Sequence, residues 1–216
     1  MAATVTAPAK PDRLPGSRAE RTRDTENRIL AAALDSFGTA GYDATSLDAL
    51  AAGLGLSKQA ILYHWPSKAA LLDAVIDRAC LDLVVEFDGV LRDAGEGWER
   101  IEAIVRSVFR VTIRRPELLG FVREVSRLGG DAAARISADL EPFVARARGF
   151  LQREMDAGRF RRCDPGLLFV SAYSAVLGAA TEVEVLRAVG FEPTARSTVV
   201  RRRELLSFLR AAIVEP

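Results

Sequence analysis

At 216 residues, with 49% of side chains apolar and a formal net charge of +1, the chain has material for a packed core but lacks the overall basicity that announces a nucleic-acid binder. Its hydrophobic stretches are broken by Arg, Asp or Glu well short of the roughly 18 residues a bilayer span needs, and MAATVTAPAK carries no charged start followed by an apolar block, so a soluble cytoplasmic protein with no membrane partner is expected. Two distant cysteines, Cys80 and Cys163, make neither a disulfide framework nor a metal spacing, and His64 is the sole histidine. No catalytic constellation, metal or cofactor is therefore expected.

Residues 1–17 hold three prolines, a glycine and no apolar period, which predicts a disordered tail unable to offset its ordering entropy. From Asp24, the apolar positions Ile29, Leu30, Ala33, Leu34 and Phe37 recur at helical spacing and predict a buried stripe that Gly38 and Gly41 bring to an end. Thr45 or Ser46 can cap the next helix, Thr45 with Asp48 as an approximate capping box, and Leu47, Leu50, Ala51 and Leu54 form its inner face up to Gly55. Ser57 caps a short helix through Trp65, with Ile61 and Trp65 inward and Pro66 ending it. Ser67 then opens a long helix that frays toward residues 89–97. Helices are expected at about 98–114, 117–128, 131–157, 165–189 and 196–213, divided by Pro116, Gly129-Gly130, Gly158, Pro165 and Pro193. The fold class is all-α: a three-helix unit at 18–66 and a larger helical body at 67–216.

Two short helices joined by a tight turn cross steeply and need small residues at the crossing, a place Ala51 and Gly55 suit. In LDALAAGLGLSKQAILYHW, Leu50, Leu54, Leu56 and Ile61 lock the pair, leaving Lys58, Gln59, Ala60, Tyr63 and His64 on outer faces. A unit of this kind offers its second helix to the major groove of DNA. Charge does not help, because residues 18–70 hold six basic and six acidic side chains. Affinity has to come from where charges sit.

The stretch ILAAALDSFGTAGYDATSLDALAAGLGLSKQAILYHWPSKAALL resembles the DNA-binding domain of the TetR/AcrR family of transcriptional regulators. A first helix ending F-x-x-x-G-Y, a Thr-Ser start, the helix-turn-helix and the terminal P-S-K-x-x-L-L carry the resemblance from about Arg23 to Leu72. Leu62 departs from the family's usual tyrosine, and Trp65 replaces the commoner Phe. The resemblance implies that Thr45, Ser46, Tyr63, His64 and Lys68 hold backbone phosphates, a role that suits hydroxyls, helix starts and a lysine. Ser57 joins this DNA-binding set as the recognition-helix cap. Lys58 and Gln59 suit guanine and adenine edges, and Ala60 a thymine methyl. Arg18, Arg21 and Arg23 read as a basic arm along a groove or phosphates.

Resemblance beyond residue 75 is generic and implies a ligand-binding and dimerising body. It implies a homodimer through 165–189 and 196–213, where Ala172, Ala175, Gly178 and Ala179 allow close approach and Leu205, Leu206, Phe208, Leu209 and Ile213 supply area. A pocket for a largely apolar small-molecule effector would be lined by Val105, Phe109, Phe121, Val125, Phe143 and Tyr173, with Arg106, Arg110 or Glu124 as polar anchors. The resulting expectation is a repressor that leaves a palindromic double-stranded DNA operator when the effector binds. The alternative is a regulator-like adaptor acting through protein contacts without an operator.

Overall fold

The computed structural model describes residues 18–93 and 95–214, so the tail expected at 1–17 lies outside the described residues. These residues form ten helices: α1 (Arg18–Thr39), α2 (Leu47–Leu54), α3 (Lys58–His64), α4 (Lys68–Asp93), α5 (Gly97–Arg114), α6 (Pro116–Leu128), α7 (Gly130–Asp156), α8 (Pro165–Thr181), α9 (Val183–Ala188) and α10 (Ala195–Ile213). Among the described residues there is no strand, and no helix is long and apolar enough to cross a membrane.

The apolar periodicity translates into two cores. The first joins Ile29, Ala33 and Phe37 of α1, Leu50 and Ala51 of α2, and Ile61 of α3 to Leu71, Val75 and Ile76 of α4 and to Leu118, Phe121 and Val125 of α6. It runs straight across the division expected at Ser67, so the short N-terminal helices and the body share one apolar interior. The second gathers Val105 and Phe109 of α5, Phe150 and Met155 of α7, Phe160, Leu168 of α8, and Leu205, Leu209 and Ile213 of α10.

Two boundaries differ from the sequence reading. α1 begins at Arg18, so Arg18, Arg21 and Arg23 stand on a helix and form no extended arm. No proline or glycine interrupts the segment, and the Thr22 and Thr25 hydroxyls donate to the carbonyls of Arg18 and Arg21 at 3.0 and 2.9 Å. Apolar periodicity missed this extension because its first turns are exposed. The helix expected over 165–189 breaks at Glu182, where Arg123 of α6 donates to the Thr181 carbonyl at 3.2 Å and pairs with the Glu182 carboxylate at 2.7 Å. A cation on these last carbonyls stabilises a helix end.

Gly38 lies inside α1, and packing explains it. A Cβ built there would sit 2.2 Å from the Glu117 carbonyl oxygen, and one on Gly120 would sit 2.3 Å from the Gly38 carbonyl oxygen. α1 and α6 therefore meet backbone to backbone, flanked by the stacked rings of Phe37 and Phe121 at 6.4 Å. In an ordinary helix interior Gly→Ala stabilises by roughly 1 kcal/mol. Here Gly38→Ala is expected to reverse that sign and cost about 1–3 kcal/mol, because backbone must move to admit the methyl. Urea unfolding followed by circular dichroism checks it, and unchanged or raised stability would refute the close crossing.

Candidate nucleic-acid interface

The helix pair α2–α3 is built from local signals. Ser46 accepts from the Ala49 N–H at 3.1 Å and Ser57 from the Ala60 N–H at 3.2 Å, so each helix starts on a capped turn. Gly55 takes φ 67° and ψ 30°, and the Leu56 N–H reaches back to the Ala51 carbonyl at 2.9 Å. That left-handed step is favourable only without a Cβ, and it swings the chain into α3. Arg28 of α1 closes the far end by donating to the Leu54 carbonyl at 3.2 Å.

Ile61 is completely buried and anchors α3, while Leu56, Leu62 and Trp65 pack at the margin of the first core. Leu62 thus contributes apolar contact, as expected of a side chain without a phenol. The opposite side presents Ser57, Lys58, Gln59 and Tyr63, all exposed, with Tyr63 at 83%. Lys58 pairs with Asp48 of α2 at 2.8 Å, yet both side chains are well exposed. Such a pair is worth at most about 1 kcal/mol and yields readily to another anion.

Other predicted site residues are held more tightly. Thr45 is buried and its hydroxyl donates to the Gly41 carbonyl at 2.9 Å, so Ser46 alone is the cap of α2 and the Thr45–Asp48 capping box does not form. His64 is mostly buried; its Nδ1 faces Glu26 Oε1 at 3.0 Å and its ring lies between those of Tyr63 and Trp65. Ala60 is half-buried. Lys68, at the start of α4, holds its ammonium 4.2 Å from the centre of the Tyr42 ring.

The model for bacterial regulatory proteins of the tetR family matches residues 29–75. The chain's N-terminal segment is thus similar to the DNA-binding segment of that family. It is 41% identical over 68 residues to the HTH-type transcriptional regulator RutR of Escherichia coli strain K12, a match that covers 32% of each chain. The alignment thus spans about a third of the length of this curated relative. The whole fold is similar to that of a putative transcriptional regulator from Saccharomonospora viridis solved with choline, at a TM-score of 0.75, 20% identity, and coverage of 90% of this chain and 100% of that one. It is also similar to AibR solved with isovaleryl coenzyme A and operator DNA, at a TM-score of 0.72, 21% identity, and coverage of 85% and 97%.

Within the matched segment, Tyr42 is a residue the sequence reading passed over. Besides carrying Lys68, its backbone N–H donates to Glu124 Oε1 of α6 at 2.7 Å. Arg127 grips the same carboxylate at 2.7 and 2.8 Å and reaches Asp43 at 3.0 Å. Glu124, expected as an effector anchor, is instead a clasp between α6 and the turn ahead of α2. Only the F-x-x-x-G-Y pattern hinted that Tyr42 mattered, and nothing local connects it to a residue 82 positions away.

The six expected pocket residues do not surround one cavity. Val105 and Phe109 belong to the second core and Phe121 and Val125 to the first, Phe143 meets Phe87 with ring centres 5.9 Å apart, and Tyr173 is 45% exposed beside Phe169. A cleft of about 440 Å³ opens elsewhere, between the α5–α6 corner, the α8–α9 break and the start of α10.

The Arg127 hydrogen bonds hold the Glu124 carboxyl below its ordinary 4.5, prevailing over burial, with the Tyr42 N–H adding to them. A carboxyl lowered on folding stabilises the native state above its unfolded value, and that contribution disappears as pH falls through the lowered one. The protein should therefore lose stability below about pH 4.5, and Glu124→Gln should lose less over the same interval. Thermal melting of both proteins from pH 6 down to about 3 measures the difference; parallel curves would remove Glu124 from the account.

Proposed function

We propose that this chain is a transcriptional repressor that grips a partly palindromic operator as a homodimer and leaves it when a small molecule binds the helical body. The observation that carries the reading is α3 itself: one face is fixed by fully buried Ile61, while Lys58, Gln59 and Tyr63 are exposed beyond a serine-capped N-terminus. Residues near the start of such a helix reach base edges in the major groove. Lys58 and Gln59 are assigned to guanine and adenine, and Ala60 to a thymine methyl. Ser46, Ser57, Tyr63 and Lys68 take phosphates. Thr45 and His64, each committed to a protein partner, position Ser46 and Tyr63 for that task.

Dimerisation would place two copies of α3 about 34 Å apart on one DNA face. Leu205, Leu209 and Ile213, expected at that interface, lie in the chain's own second core. The large apolar side chains exposed on these two helices are Leu167, Val170 and Tyr173 of α8 and Val199 and Phe208 of α10, and the proposed interface uses these. An operator-binding regulator works in the cytoplasm, where its DNA is. The effector reading rests on the two similar structures, which hold choline and isovaleryl coenzyme A.

Selection of bound duplexes from a random pool should return a palindromic site. Against it, Lys58→Ala with Gln59→Ala should lose sequence preference, at about 1–3 kcal/mol per base contact. Lys68→Ala should weaken all duplexes alike and reduce the slope of log affinity against log salt by about one. Gel shifts over a salt series check both. Unchanged specificity in the double variant would displace the reader assignment, and no salt-dependent binding to any duplex would favour the adaptor.

A further inference from the structure

The 440 Å³ cleft has a wall that the chain itself leaves incomplete. Arg201 of α10 reaches into the end of α8, where Nη1 donates to the Ala179 carbonyl at 2.8 Å and Nη2 to the Thr198 hydroxyl at 3.0 Å. Its Nε is buried and has no hydrogen-bond partner, and among the described residues no carboxylate pairs with the guanidinium. A buried N–H without an acceptor and a partly desolvated charge without a counter-ion are both unfavourable. The other cation on the wall, Arg123, is already matched by Glu182. The remaining surface is mainly apolar, supplied by Ile113, Pro116, Gly120 and Val183, and the first turn of α10 faces the cleft with the positive end of its dipole.

We infer that this cleft is the effector site, and that it takes a monocarboxylate with a short apolar body, the carboxylate pairing with Arg201 and the body lying against α6. One unsatisfied charge calls for one negative charge, and the volume is within the range that small-molecule sites occupy. The inference rests on the reading of the chain as an effector-responsive regulator for its biological meaning, but the site is a property of the free protein. Its position also gives it leverage: Gly120 lines the cleft and, in the same residue, touches the Gly38 backbone of α1. A ligand seated there presses on the helix that carries the DNA-reading unit.

The test uses the full chain without DNA and octanoate as the probe, with octanamide as the neutral isostere and octylamine as the cation. Calorimetric titration and melting curves should show octanoate binding and raising Tm, with octanamide weaker by about 10- to 100-fold, the loss expected for a hydrogen bond to a charged group. Octylamine should not bind. Arg201→Gln should abolish the preference for octanoate over octanamide. Since Arg201 also supports the end of α8, Ile113→Trp gives a second reading from the exposed rim: it should weaken octanoate at least tenfold while leaving the melting temperature of the free protein unchanged. Equal binding of octanoate and octanamide, no binding of either, or octanoate binding untouched by both substitutions would overturn the assignment. Octanoate bound through Arg201 in a protein that never binds DNA would uphold the site and count against the repressor reading alone.

Discussion

The architecture depends on one contact, the backbone-to-backbone crossing of α1 and α6 at Gly38 and Gly120. Helices with side chains at the crossing stay about 8–10 Å apart. Two glycines remove that spacer and leave two carbonyls in the place a methyl would occupy. Such a contact has little slack: a shift of a few tenths of an ångström changes every neighbouring van der Waals distance. Phe37 against Phe121 on one side, and Glu124 with Arg127 holding Tyr42 and Asp43 on the other, fix the rotation of α6 about this point. The first core is continuous through it, so α2 and α3 are attached to the body by packing as well as by the chain that runs through α4.

This attachment bears on how a neutral unit could serve the DNA-reading role proposed for it. Without a basic field, recognition has to rely on a few side chains held in register, and register comes from rigidity. Ser46 and Ser57 set the starts of the two helices, Gly55 sets the angle between them, Arg28 covers the end of α2, and Ile61 fixes which face of α3 is inward. Each of these is a local device. Their common effect is that Lys58, Gln59 and Tyr63 emerge from a helix with little freedom to roll.

That is also why the outward face of α3 was legible in the sequence, whereas in the body the helices were legible and their packing partners were not. Serine caps, a left-handed glycine and a proline stop operate over three or four residues and leave a pattern that can be read along the chain. The ends of α2 and α3, the inward Ile61 and the outward Lys58 and Gln59 all follow from such patterns. The aromatic residues of the body carry no comparable label. Phe109 and Phe121 have the same helical spacing and hydrophobicity, yet one entered the second core and the other the first, because that choice is made by helix crossings between distant segments. Gly38 read as a terminator and Glu124 as a ligand anchor for the same reason: each acts on a partner about 80 residues away. The break of α8 was hidden because what ends it is Arg123, on another helix.

The clasp and the cleft lie on the same helix, and this has a thermodynamic consequence. A ligand alters DNA affinity only as far as it binds the two conformations of the protein with different strength. A pocket buried within one core would gain such a difference only through a long chain of displaced side chains. α6 offers a shorter route. Pro116, Gly120 and Arg123 line the cleft, Gly120 meets α1, and Glu124 and Arg127 hold the turn that precedes α2. Any rotation or slide of α6 that improves contact with a ligand would therefore be passed to α1 through the glycine crossing, or to the turn ahead of α2 through Tyr42. A coupling of only about 1–3 kcal/mol is typical of allosteric sites and amounts to roughly 5- to 150-fold in affinity. A single short, stiff contact is sufficient for that, and on the proposed effector reading the α1–α6 crossing is the contact that would carry it.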